Sequence, residues 1–86
     1  MKWAVILSPK AVTSYKRLQE TTKRRVRDVL EGLADDPWGL PYRKLKGKPF
    51  YRVRVGEWRI VYSVDEIKRE VYVVAIDKRS RVYKRL

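Results

Sequence analysis

In the stretch Phe50 to Val64 apolar and basic residues alternate up to Gly56, the pattern breaks at Gly56-Glu57, and alternation resumes at Trp58. Period-two alternation predicts two β-strands, and Gly56 supplies the positive φ that a two-residue turn between them needs. In that register Val55 faces Trp58, Arg54 faces Arg59, Val53 faces Ile60, and Tyr51 faces Tyr62. Side chains on a strand point alternately to opposite faces. Tyr51, Val53, Val55, Trp58, Ile60 and Tyr62 therefore form one apolar face, while Arg52, Arg54 and Arg59 share the other. Like charges placed directly opposite each other repel, which marks the arginine face as a candidate site for a phosphate or carboxylate.

The rest of the chain supplies the layers around this hairpin. Lys2–Leu7 is rich in Trp, Val and Ile and predicts a strand buried on most of its surface. Ser8 followed by Pro9 is a helix start, predicting a helix from about Pro9 to Gln19 with Val12, Tyr15 and Leu18 on one stripe. Thr21-Thr22 offers a second N-cap. From Lys23 to Ala34, Val26, Val29, Leu30 and Leu33 recur at helical spacing, so this segment is an amphipathic helix with a dry stripe. Asp35-Asp36-Pro37 ends it, and Trp38-Gly39-Leu40-Pro41 continues as irregular chain pinned by Trp38 and Leu40. A basic stretch from Tyr42 to Pro49 leads into the hairpin, and Glu70–Ile76 forms a third strand of the meander, apolar on both faces. The expected order is β-α-α-β-β-β. This is an α+β fold, with two N-terminal helices packed on one face of a small, mainly antiparallel sheet, in a single domain spanning 1–86.

Charge sharpens the picture. The chain carries 22 Lys/Arg against 10 Asp/Glu, a net charge of +12, and such a field attracts polyanions. Residues 42–86 hold fourteen of the cations and five acids, so the hairpin and the C-terminal segment Asp77–Leu86 dominate the field. A nucleic acid or an acidic protein is the expected partner. Cysteine and histidine are both absent. That excludes thiol nucleophiles and cysteine metal sites, and it removes the usual general base near neutral pH. No cofactor or metal is expected. Met1–Leu7 is too short for a signal-peptide core and no apolar run approaches the ~20 residues of a spanning helix, so a cytoplasmic protein without a membrane partner is expected.

Lys44-Leu45-Lys46-Gly47, then Tyr51-Arg52-Val53-Arg54-Val55-Gly56-Glu57-Trp58-Arg59-Ile60-Val61-Tyr62, then Lys78-Arg79 and Tyr83 occur in order along the chain. Together they resemble the RelE branch of the RelE/ParE toxin superfamily. The resemblance covers essentially the whole chain, because the helical hairpin precedes the sheet as it does in that family. It implies the toxin of a type II toxin–antitoxin pair, a metal-independent endoribonuclease that enters the ribosomal A site, cleaves messenger RNA and so inhibits translation. The ribose 2′-oxygen would attack the adjacent phosphate and the 5′-oxygen would leave, a reaction that needs stabilisation of a dianionic phosphorane. By position, Arg59 and Arg79 would hold the scissile phosphate, Arg52 and Arg54 would supply positive charge, and Tyr83 would stack on a base or assist proton transfer. Arginine does not give up its proton. Proton removal then falls to Tyr83, to Lys46 or Lys78, or to the ribosome.

Lys44, Lys46, Lys48, Lys78 and Arg81 are expected to contact RNA backbone on the ribosome. Glu57 sits in the predicted turn as an exposed charge. The implied partners are the ribosome and a small RelB-like antitoxin, with the free toxin a monomer. Two other readings accompany this one. A ParE-like protein would share the fold and poison DNA gyrase by binding, and a nuclease-inactive module would bind RNA or the ribosome without cutting.

Overall fold

The computed structural model describes residues 2–78. Its elements are β1 (Ala4–Leu7), α1 (Pro9–Lys16), α2 (Glu20–Asp35), β2 (Tyr42–Lys44), β3 (Tyr51–Val55), β4 (Trp58–Asp65) and β5 (Glu70–Lys78). The five strands form one sheet in the order β1-β5-β4-β3-β2. β1 runs parallel to β5 and every other pairing is antiparallel. Both helices lie on one face of that sheet, α1 against β5 and β1, α2 against β1 and β3. Among the described residues no helix is long and apolar enough to cross a membrane.

The β3–β4 hairpin has the register that the alternation predicts: Val55 with Trp58, Arg54 with Arg59, Val53 with Ile60 and Tyr51 with Tyr62. Gly56 turns the chain at φ +60°. The apolar face of this hairpin joins Trp3, Ala11, Leu18, Val26, Leu33, Val71, Val73 and Ile76 in the main core, with Leu7, Tyr15, Leu30 and Leu40 packed around it. Burial of these side chains on the helix side is what fixes which hairpin face is left outside.

Four differences from the sequence expectation have physical causes. β2 is a strand the pattern does not announce, because Tyr42-Arg43-Lys44 is exposed throughout and is held by main-chain pairing to β3. The order is thus β-α-α-β-β-β-β. β1 is not buried on most of its surface: it is an edge strand, and Ala4 and Ile6 are exposed while Val5 and Leu7 pack inward. In α1, Ala11 is buried and Val12 exposed, so the dry stripe runs Ala11, Tyr15, Leu18 and the helix stops at Lys16. α2 begins at Glu20 after Gln19 rather than at the threonines.

Ser8 shows how a short signal is used twice. Its oxygen accepts the Ala11 N–H at 3.0 Å, capping α1, while its hydroxyl donates to the Val74 carbonyl at 2.8 Å. The helix start is thereby tied to β5. At the other end of the sheet Trp38, Tyr42, Tyr51 and Tyr62 pack mostly edge to face, with centroids 5.0 to 5.9 Å apart. Trp38 Nε1 also donates to Glu66 at 3.1 Å. This cluster, together with Leu40 against the core, pins the loop between α2 and β2 as the sequence suggests.

Candidate functional site

The sheet face turned away from the helices carries the candidate site. Alternation along three adjacent antiparallel strands puts Arg43 of β2 opposite Arg52 of β3, and Arg54 of β3 opposite Arg59 of β4. A shallow cleft of about 330 Å³ is lined by Pro41, Tyr42, Arg43, Arg52 and Arg54. Arg43 and Arg54 are exposed and Arg52 is half-buried. Like charges aligned across strands repel one another, and an anion seated among them would relieve that repulsion. Arg43 was not singled out by the sequence pattern, because its strand carries no apolar alternation. The signal available was the basic stretch itself, one short loop from β3.

Arg59 is different in kind. It is 5% exposed, and its Nη1 donates to the neighbouring Trp58 carbonyl at 3.3 Å. Its Nε is buried with no hydrogen-bond partner among the described residues. β4 is a central strand, flanked by β3 and β5, and Asp77 stands opposite Arg59 on β5. Next along the same face, Val61 and Ala75 are covered by Leu45 and Phe50. Arg52, Arg54 and Arg59 do share one face as the hairpin register requires, but only the first two reach its surface.

The remaining sequence-derived candidates divide into two groups. Lys44, Lys46 and Lys48 are exposed on and after β2, and Lys44 Nζ donates to the Lys48 carbonyl at 2.8 Å. Lys78 is exposed at the end of β5, where it pairs with Glu57 at 3.5 Å and lies over the Trp58 ring at 5.8 Å. That pairing gives Glu57 a local partner in the turn. Arg79, Arg81 and Tyr83 lie outside the described residues.

On this face the one carboxylate among the strand residues paired above is Asp77, buried beside Arg59 on β5. The nearest buried phenol, Tyr62, points to the core side, where its hydroxyl donates to the Pro37 carbonyl at 3.0 Å. Burial, with smaller contributions from Tyr42 and Tyr51, pushes its pKa well above the ordinary tyrosine value. What the face presents at its surface is positive charge, with one buried carboxylate beside Arg59.

The sequence matches the ParE toxin of type II toxin–antitoxin systems over residues 5–83. The chain belongs to the ParE toxin family. No curated protein matches it. Among solved structures the archaeal RelE of the RelE–RelB complex from Pyrococcus horikoshii OT3 is 26% identical, over 94% of this chain and 99% of that one, with a TM-score of 0.72. The isolated E. coli RelE toxin is 25% identical, over 96% and 93%, with a TM-score of 0.78. A YoeB/ParE toxin from Agrobacterium tumefaciens is 19% identical, over 88% and 98%, with a TM-score of 0.78.

Membership in the ParE toxin family corrects the assignment to the RelE branch that the motifs imply. The reason lies in what those motifs are made of. Val53, Val55, Ile60 and Tyr62 are buried core, Gly56 is the turn, and Leu45 packs under the open face. Residues that build the sheet are needed wherever the fold occurs, so they mark the superfamily and not one branch. The chain is accordingly the toxin component of a type II toxin–antitoxin system.

Proposed function

We propose that this ParE-family toxin arrests growth by binding rather than by catalysis, with DNA gyrase as its target and a cognate antitoxin of RelB or ParD type as its inhibitor. The family match along residues 5–83 carries this reading. The geometry supports it: Arg43, Arg52 and Arg54 form a cationic row at the surface, whereas Arg59 is buried with Asp77 opposite it. Cations fixed on a sheet supply recognition and orientation without acid–base chemistry. The antitoxin follows from the toxin's membership in a paired system, and related toxins have been captured with theirs, as in the RelBE complexes of E. coli and of Mycobacterium tuberculosis.

One observation favours a second reading, ribosome-dependent cleavage of messenger RNA. Arg54 and Arg59 stand opposite each other with Arg52 and Arg43 alongside, an arrangement suited to a pentavalent phosphorane, with Arg79 and Tyr83 as the further residues that this reading needs. In that reaction the 2′-oxygen bonds to phosphorus, the bond to the 5′-oxygen breaks, and the 2′ proton leaves to Tyr83, a lysine or the ribosome. Passive blocking of the ribosome would use the same cations without the bond exchange.

Two assays on the purified 86-residue chain separate these readings. Gyrase supercoiling that stops with toxin, while primer extension shows intact messenger RNA on programmed ribosomes, supports gyrase inhibition. Ribosome-dependent cuts in the A-site codon, lost in Arg59→Ala/Arg79→Ala, with gyrase unaffected, overturn it in favour of RNA cleavage. Stalled ribosomes carrying uncut message assign the protein to passive blocking.

A further inference from the structure

Charge on the helical layer is segregated in a way that the fold does not require. From residue 16 to residue 27 six Lys/Arg accompany a single acid, Glu20, and from 28 to 36 there are four acids and no base. Within α2 this places Lys23 one turn before Arg27 and Glu31 one turn before Asp35, like-charge neighbours that destabilise a helix. Asp35 closes the last turn, where the helix dipole disfavours an acid, and that turn has no base. Interspersed signs would serve the helix better.

The cations are also gathered in space. Tyr15 holds two of them: Lys23 Nζ lies 5.7 Å from its ring centroid, and Arg27 Nε donates to its hydroxyl at 3.2 Å. That bond raises the Arg27 pKa, with the Glu20 and Glu31 carboxylates adding to it. Lys23 Nζ reaches the Lys16 carbonyl at 3.5 Å. Around the same end, Arg25 Nη1 lies 3.6 Å from where a Cβ on Gly56 would stand, and Arg17 shares a cleft of about 330 Å³ with Thr22, Trp58, Lys78 and the Glu57 carboxylate that Lys78 pairs with. Lys16, Arg17, Arg24, Arg25 and Arg27 are exposed and Lys23 half-buried. Among the described residues none of the six is in ion-pair contact with a carboxylate.

We infer that the α1–α2 turn is a second polyanion-binding surface, one that grips the phosphodiester backbone of duplex nucleic acid, separate from the arginine row on the sheet. An acidic protein partner fits less well. Protein interfaces are built around buried apolar anchors, and the exposed large apolar side chains Ile6, Val12, Tyr42, Ile67 and Tyr72 all fall outside residues 16–27. Phosphate recognition needs only clustered, solvent-facing cations. The surface rests on charge placement alone and stands whichever target the toxin inhibits.

Fluorescence anisotropy with a 20-base-pair DNA duplex and the matching RNA duplex, across a salt series, tests it on the full chain. Lys23→Gln/Arg24→Gln/Arg25→Gln should lower the slope of log K against log salt by about 2 to 3 on DNA, at roughly 0.9 per lost phosphate contact. Its helical circular dichroism should match that of the unmodified chain, because the lost Lys23–Arg27 repulsion is offset by the lost Glu20–Arg24 and Arg24–Asp28 attractions. Arg43→Gln/Arg52→Gln/Arg54→Gln, on the opposite layer, should lower the slope independently, and combining both sets should add the two effects. A stronger response on one duplex identifies DNA or RNA as the source of the backbone. An unchanged slope in the folded helix variant overturns the inference, as does poly-L-glutamate competing as well as duplex at equal charge.

Discussion

Tyr62 illustrates how one buried polar atom ties a loop to a sheet. Its side chain is fully buried, and its hydroxyl donates to the Pro37 carbonyl at 3.0 Å, which fastens the loop after α2 over β4. Burial pushes its pKa above the unfolded value of about 10. A raised folded pKa gives stability that is fully present below pH ~10 and is lost as pH rises toward the folded value, because the unfolded chain releases a proton that the native state retains. Tyr62→Phe should cost about 0.5–1.5 kcal/mol at pH 7, the net worth of the hydrogen bond. That deficit should shrink by up to about 1.4 kcal/mol per pH unit above pH 10. Urea denaturation of both proteins at pH 7 and pH 11 checks it; lysine titration is common to both and cancels in the difference. A deficit that is the same at the two pH values would show that Tyr62 ionises as freely in the folded chain as in the unfolded one.

At the scale of elements, legibility followed the number of constraints acting on each segment. The β3–β4 hairpin was readable to the residue because two signals agreed: period-two alternation on both strands and a glycine at φ +60° between them. Gly56→Ala should therefore destabilise the protein by about 1–2 kcal/mol, the cost of an L side chain in the left-handed region. Gly56→Asn, whose short amide tolerates that region, should lose less, with the midpoint of chemical denaturation as the readout. Equal losses would mean that space near Arg25, and not backbone conformation, sets the cost. Elements with one constraint were less legible. β2 is defined by its partner strand and not by its own pattern, and the parallel pairing of β1 with β5 joins segments too far apart in sequence for local periodicity to report. The same holds for the site. Alternation put Arg52, Arg54 and Arg59 on one face, yet it says nothing of depth, and a central strand keeps Arg59 at 5% exposure while its neighbours on β3 emerge. Arg43 joined them only because β2 exists.

At the scale of the whole molecule, residues 2–78 carry 18 Lys/Arg against 10 Asp/Glu, a net charge of +8, in a body whose radius of gyration is 11.8 Å. An unfolded chain of that length would spread the same charge over a radius of about 27 Å. Folding thus concentrates like charge, with Lys78–Glu57 paired at 3.5 Å. At ~0.01 M salt the Debye length is about 30 Å, comparable to the molecule's 33 × 29 × 24 Å extents, so every cation feels every other. Above ~0.1 M it falls to about 10 Å or less and only neighbours interact. The free toxin should therefore melt higher in 0.5 M than in 0.01 M sodium chloride, by about 4–8 °C for each kcal/mol of repulsion screened. Replacing the two arginine and lysine sets of the sheet face and the helix turn by glutamine should flatten that dependence, since the repulsion resides in those clusters. Calorimetry on the three proteins decides it. A melting temperature that falls with salt would mean that attractive pairs outweigh repulsion in the native state, and the clustered cations would then have to be internally compensated. That outcome would remove the physical reason for expecting an anionic partner, because a surface whose charges are already balanced gains little by binding one.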